Sequence, residues 1–278
     1  MTRRTMTDGT TYRVRTGGEG GPRPPVLLLH GLTGRASDWS PFVRPIREAG
    51  HRTIVLDLLG HGRSDSPADP ARHAIERQAE DVATILRQLD ASPAFVVGYS
   101  MGARIALRLA LIEPALVRGL ILESPSAGIP DAKERAARLA ADRTLADRIE
   151  RDGIEAFVDA WEALAMFAPE RRLSAAARAR LRRDRLRNRP AGLAASLRGA
   201  GQGVMEPLDG RLKQIRSPAL VIAGALDTVG VERAVAVARR VPTVRMLILP
   251  ERGHAPHRET PARLRRILLD QLTTWSSR

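Results

Sequence analysis

The 278-residue sequence predicts an α/β fold in which a mostly parallel sheet is flanked by helices and interrupted by an all-helical insertion. Three observations lead there. Short, branched apolar runs alternate with helix-length spacers. The runs lack polar alternation, so both of their faces are expected to be buried. One long stretch past the middle has helical character and no strand signal.

The runs, in order, are PVLLLH (25–30), RTIVLD (52–57), AFVVG (94–98), LVRGLILES (116–124), PALVIAG (218–224) and VRMLILP (244–250). Parallel neighbours need crossover connections, and the spacers are long enough to supply them. RHAIERQAEDVATILRQL carries apolar residues at helical spacing, as does PARLRRILLDQLTTW, where Pro261 after Thr260 suits a helix start. Between Pro130 and Pro207 the chain is Ala-rich and dense in arginine. The expected division is therefore a core of residues 1–130 and 208–278 and a helical cap of residues 131–207. A helical insertion between two strands belongs over the C-terminal strand ends, where open α/β sheets place their sites.

Composition narrows the function classes. A hydrophobic content of 43% supports a full core. Cysteine is absent, which excludes a disulfide framework, a thiolate zinc site and a cysteine nucleophile. The N-terminus lacks a signal-peptide pattern, and no apolar stretch reaches the roughly 18 residues of a membrane span. The expectation is a cytoplasmic protein with no membrane partner. Of the +14 net charge nearly all is arginine, Lys133 and Lys213 being the only lysines. With aromatics at 3%, stacking platforms for nucleic acid are scarce, so no nucleic-acid partner is expected. A small anionic substrate is the better use of some arginines. No signal for oligomeric state is present.

The chemistry centres on Gly98-Tyr99-Ser100-Met101-Gly102, a G-x-S-x-G run that follows an expected strand and precedes an expected helix. Its glycines suit a tight turn that holds the serine in a strained, exposed conformation. A serine hydroxyl needs a base, and the base needs an orienting acid. His254 follows the last strand, with His257 as the weaker competitor, and Asp227 lies in the loop after the preceding strand. The order Ser100, Asp227, His254 is that of a strand-elbow hydrolase, with Glu123 in reserve as the acid. In LLLHGLTG (27–34), the turn sets the Leu32 amide opposite that of Met101, a pair suited to hold a developing oxyanion, and leaves His30 as a loop brace. Arg104, four residues past the serine, falls on a helix expected to be buried. An unpaired guanidinium there costs several kcal/mol, so either an internal acid or a ligand carboxylate should meet it.

Through these motifs the chain resembles the α/β-hydrolase superfamily over its whole length. GYSMGAR, ESPSAGI, ERAARLAADRTLADRIERDGIEAFVDAWE and LRNRPAGLAASLRGAGQG together resemble 2-succinyl-6-hydroxy-2,4-cyclohexadiene-1-carboxylate (SHCHC) synthase of menaquinone biosynthesis. The resemblance implies a lyase. The triad removes a proton from a cyclohexene polycarboxylate, pyruvate leaves, and no metal or organic cofactor takes part. It also implies substrate-binding roles for Arg104, Arg138 and Arg198, with Arg135 as the other register for the cap arginine, and pocket-lining roles for Tyr99 and Trp161. The sequence departs from the family pattern at Ala103, Gln202 and Thr228. The same triad would serve a carboxylesterase or carbon–carbon bond hydrolase, and the same cavity a non-catalytic ligand sensor. Arginines facing one cavity separate synthase from esterase, and turnover separates enzyme from sensor.

Overall fold

In the computed structural model, which describes residues 2–277, the branched apolar runs form the parallel part of an eight-stranded sheet. The strands are β1 (Thr2–Thr5), β2 (Thr11–Gly17), β3 (Arg23–Leu29), β4 (His51–Asp57), β5 (Ala94–Tyr99), β6 (Val117–Glu123), β7 (Ala219–Gly224) and β8 (Val244–Leu249). Their order is β1-β2-β4-β3-β5-β6-β7-β8. From β4 through β8 every pairing is parallel, while β1 and β2 add an antiparallel hairpin at one edge. The absence of polar alternation has a direct cause. On β5, Ala94 and Val96 join the core on one sheet face, while Phe95 and Val97 join the core on the other.

Two strand readings need correction. The hairpin is not anticipated by any apolar run, because β2 buries only Tyr12 and Val14, separated by arginine. That is the period of a half-buried strand, too short here to stand out. VRMLILP is a strand, but not one buried on both faces. As the sheet edge, β8 leaves Ile248 48% exposed.

The helices, in chain order, are α1 (Ser40–Glu48), α2 (Ile75–Gln88), α3 (Met101–Ile112), α4 (Ala132–Ala163), α5 (Ala175–Leu186), α6 (Pro190–Ala200), α7 (Thr228–Ala238), α8 (Pro256–Glu259) and α9 (Pro261–Ser276). Apolar residues of α2, α3 and α7 cover one sheet face, and those of α1 and α9 cover the other. No helix among the described residues is long and apolar enough to cross a membrane.

Between β6 and β7 run α4, a 3₁₀ segment (Ala165–Arg172), α5 and α6, with no strand among them. Asp131 starts α4 by accepting a hydrogen bond from Glu134 N at 2.7 Å. Gly153 breaks that helix at φ +82°. Ala146, Ile149, Phe157 and Val158 of α4 pack on Leu193, Ala194 and Leu197 of α6 as a separate small core. Helix α6 meets the loop after β4 backbone to backbone: a methyl group on Gly60 would lie 2.5 Å from the Gly192 carbonyl oxygen. The insertion is thereby seated on the loop that follows β4.

Candidate active site

Ser100 sits between the last residue of β5 and the first of α3, at φ +50° and ψ −105°. A non-glycine residue in this region is strained, and its neighbours must hold it there. Ser100 N donates to Glu123 O at 2.9 Å, which ties the turn to β6. The flanking glycines are required by close approach. A methyl on Gly98 would fall 2.5 Å from Gly102 O, and one on Gly102 would press on Leu29 O and lie 2.7 Å from His30 O. Overpacking of this kind costs about 1–3 kcal/mol, so Gly102→Ala is expected to lower Tm by several degrees and shift the urea midpoint downward. An unchanged midpoint would mean that the loop after β3 yields freely.

The structure brings Ser100, His254 and Asp227 together. Ser100 Oγ donates to His254 Nε2 at 3.0 Å, and His254 Nδ1 donates to Asp227 Oδ2 at 2.5 Å. Asp227 caps α7, its other oxygen accepting from Gly230 N at 3.1 Å. Burial pushes the Asp227 carboxyl up, but the hydrogen bond and charge of His254 outweigh burial and hold it below the ordinary range. The histidine loop is pinned on three sides. His254 N donates to Met166 O of the insertion at 3.0 Å, and Ser124 Oγ donates to His254 O at 2.9 Å. The Glu259 carboxylate accepts from Gly253 N at 2.8 Å and Ala255 N at 3.2 Å.

Glu123 and His257, the reserve acid and the competing base, are engaged with each other. His257 donates to Glu123 Oε1 through its backbone N at 2.8 Å and through Nδ1 at 2.9 Å, with the Trp39 ring stacked over it. His30 braces its loop: Nδ1 donates to Gly31 O at 2.8 Å, and Leu58 N donates to Nε2 at 3.0 Å. Burial lowers its pKa, consistent with a neutral ring whose Nε2 accepts. Leu32 and Met101 line the cavity beside Ser100. Their backbone N–H groups donate to no other described residue, which leaves both for an oxygen in the cavity.

That cavity has a volume of about 550 Å³ and is roofed by residues of α4, the 3₁₀ segment and α6. Arg104 lines it, 6% exposed, with no carboxylate within ion-pair distance among the described residues. Its Nη1 donates to Ala200 O, the C-terminal end of α6, at 2.5 Å. Burial and the neighbouring Arg138 pull its pKa down to about 10, so the guanidinium remains a cation at neutral pH. Arg138 also lines the cavity, with Nε donating to Asp142 Oδ1 at 2.8 Å. Arg135 turns back to the carbonyls of Ile129 and Pro130 at 2.8 and 3.0 Å and is not a lining residue. Tyr99 lines the cavity with its ring 5.5 Å from that of His254, and Trp161 lines it between Phe157 and Phe167.

Arg198 does not face the cavity, contrary to expectation. It donates to Glu150 Oε1 at 2.9 Å, Glu150 Oε2 at 2.7 Å and Asp147 Oδ1 at 2.6 Å, all on the outer side of α4. A different arginine lines the cavity instead. Arg233 reaches it from α7 and donates from Nη1 to Gln202 Oε1 at 2.7 Å. Its signal in the sequence is spacing: Gly230 and Arg233, three apart, share the face that starts at Asp227. No group of three or more potential metal-ligating side chains occurs among the described residues.

Comparison with known proteins adds five similarities. A family model described as alpha/beta hydrolase fold matches residues 24–261. A Bacillus subtilis (strain 168) protein, named provisionally as a 2-succinyl-6-hydroxy-2,4-cyclohexadiene-1-carboxylate synthase, is 38% identical over 97% of each chain. One of Serratia proteamaculans (strain 568), named as that synthase, is 30% identical over 89% of this chain and 94% of its own. Among solved structures, MenH from S. aureus superposes with a TM-score of 0.89 at 29% identity, covering 95% of this chain and 98% of that one. A thermophilic esterase from Thermogutta terrifontis follows the same fold, with a TM-score of 0.86 at 26% identity over 99% of this chain and 100% of that one.

Proposed function

Because the chain belongs to the alpha/beta hydrolase family and, within it, to the SHCHC synthases, we propose that Ser100, His254 and Asp227 drive loss of pyruvate from a small cyclohexene polycarboxylate. The protein is an α/β-hydrolase-fold lyase of menaquinone biosynthesis. Residues 131–207 act as a cap that closes over the substrate.

The product's name states what the site must do: a second ring double bond forms next to the succinyl carbonyl. Ser100 Oγ takes a proton from the ring carbon beside that carbonyl while His254 Nε2 takes the serine proton, and Asp227 steadies the resulting imidazolium. The electron pair from the broken C–H bond moves onto the carbonyl oxygen, which the amides of Leu32 and Met101 receive. Collapse of that enolate places the new double bond and breaks the carbon–oxygen bond to the enolpyruvyl group, which gains a proton and departs as pyruvate. No bond forms between Ser100 and substrate.

One observation carries this reading over ester hydrolysis by the same triad: the buried, cavity-facing cation of Arg104 has no internal carboxylate. A site built for neutral esters has no use for that desolvated charge. Arg138 adds a second cation, and Tyr99 and Trp161 supply flat apolar walls for the ring. The direct test supplies the enolpyruvyl-bearing pathway intermediate and follows pyruvate with lactate dehydrogenase. Steady release is expected, and its absence at micromolar enzyme would remove the assignment.

A further inference from the structure

Arg233 and Gln202 are arranged in a way that the reaction above leaves unexplained. Both line the cavity. Gln202 Oε1 accepts from Arg233 Nη1 at 2.7 Å and from Ser126 Oγ at 3.1 Å. A guanidinium has no acceptor, so the amide oxygen must face it and the amide NH₂ is turned away. That NH₂ group donates to no described residue. The acid nearest to Arg233 is Glu134 of α4, at 3.6 Å from Nη2, beyond hydrogen-bond length, and itself 60% exposed. Burial and repulsion from Arg138 both act against the Arg233 charge. The cavity is thus lined by Arg104, Arg138 and Arg233, while its two acids, Asp142 and Asp227, are already engaged by Arg138 and His254.

We propose that Arg233 and Gln202 form a carboxylate subsite, the guanidinium fork and the amide NH₂ together gripping one carboxylate arm of the substrate. Ser126 holds the amide, the amide orients the guanidinium, and the incoming carboxylate displaces the loose contact with Glu134. The planar two-pronged donor set matches a carboxylate and not a neutral carbonyl. Arg233 is in this sense a specificity-determining residue on the core side of the cavity, opposite Arg138 on the cap. The subsite rests on the polycarboxylate reading above.

The competing role is structural, since Arg233 also links α7 to α4 through Glu134. Two variants separate the roles. Arg233→Ala is expected to reduce kcat/KM for pyruvate release about 10- to 100-fold, mainly through KM, and to leave hydrolysis of a neutral p-nitrophenyl ester within about twofold. Arg233→Lys should rescue poorly. Glu134→Ala should keep or slightly improve kcat/KM, because it removes a competitor for the guanidinium. Equal losses in Arg233→Ala and Glu134→Ala, equal losses on the charged and neutral substrates, or no loss at all overturns the subsite. Tricarballylate binding, measured by calorimetry, gives a readout that does not need turnover. Arg233→Ala should weaken it at least about tenfold against the parent. If the parent releases no pyruvate, the lyase assignment fails, and tricarballylate then decides the subsite alone: equal affinity in the two proteins, or none in either, rejects it.

Discussion

Ser100→Ala is expected to lower kcat for pyruvate release by at least about 10²-fold while changing substrate affinity less than about tenfold. Positioned proton transfer contributes typically 10²–10⁴-fold, and the hydroxyl adds no more than about 1.4 kcal/mol to ground-state binding. In the proposed mechanism the serine links substrate to base: Oγ is 3.0 Å from His254 Nε2, and the imidazole is held from behind by Asp227 at 2.5 Å. His254→Ala should be equally damaging, and Asp227→Asn somewhat less, since the histidine loop keeps its anchors at Met166, Ser124 and Glu259. The three act as a unit, so Ser100→Ala combined with His254→Ala should lose little more than either alone. Rapid-quench and steady-state pyruvate assays give kcat, and calorimetry on the inactive variant gives affinity. Retention of more than a few per cent of kcat in Ser100→Ala would require another base for the ring proton. A mass adduct on Ser100 in rapidly quenched enzyme would show a covalent intermediate, which the lyase route does not form.

The triad and its elbow are legible in the sequence because each part depends on chain-local or order-based constraints. Gly98 is forced by backbone contacts within the turn and Gly102 by the close approach of the end of β3, and the serine lies where a buried strand meets a helix. Asp227 and His254 fall at successive strand ends, and β7, buried on both faces, and β8, an edge strand, both show as continuous apolar runs. The hairpin of β1 and β2 is not legible, because two buried residues among arginines give too little periodic signal. The arginines assigned by resemblance fare differently. On α6 the cavity face is set by Ser196, Leu197 and Ala200, and Arg198 lies outside that arc, about 200° round the helix from Ser196. Motif resemblance places Arg198 in the right helix without giving its rotation. On α4, Arg138, Ala141, Asp142 and Leu145 follow one stripe, so Arg138, assigned by resemblance, does line the cavity. Arg135 lies on the same stripe, one turn earlier, and is diverted by two free carbonyls at the helix entrance. Such a diversion depends on a flexible side chain finding a local acceptor, which no residue pattern records.

These placements make the arginines unequal, and the inequality is measurable. Arg104→Ala is expected to reduce kcat/KM on the polycarboxylate about 10- to 100-fold or more, since charge-assisted pairs contribute roughly 1.5–3 kcal/mol each. Arg198→Ala should stay within about twofold, because its partners Asp147 and Glu150 are exposed acids on the outer surface and such bridges are worth about 0–1 kcal/mol. Arg104 also donates to the C-terminal carbonyl of α6, so its loss will loosen that helix and lower Tm. Arg104→Lys separates the two effects. Lysine keeps a cation within reach of the helix end and should recover part of the Tm, yet it lacks the planar fork and should recover little of kcat/KM. Against a neutral p-nitrophenyl ester, the lysine variant should match the parent within about twofold. If Arg104→Lys restored full activity on the polycarboxylate, or if Arg104 and Arg198 variants lost activity equally, the buried cation would be holding the helix and not the substrate. A guanidinium 6% exposed with no carboxylate within ion-pair distance is costly to keep folded, and in the proposed site an anion arriving from the cavity would supply that counter-charge.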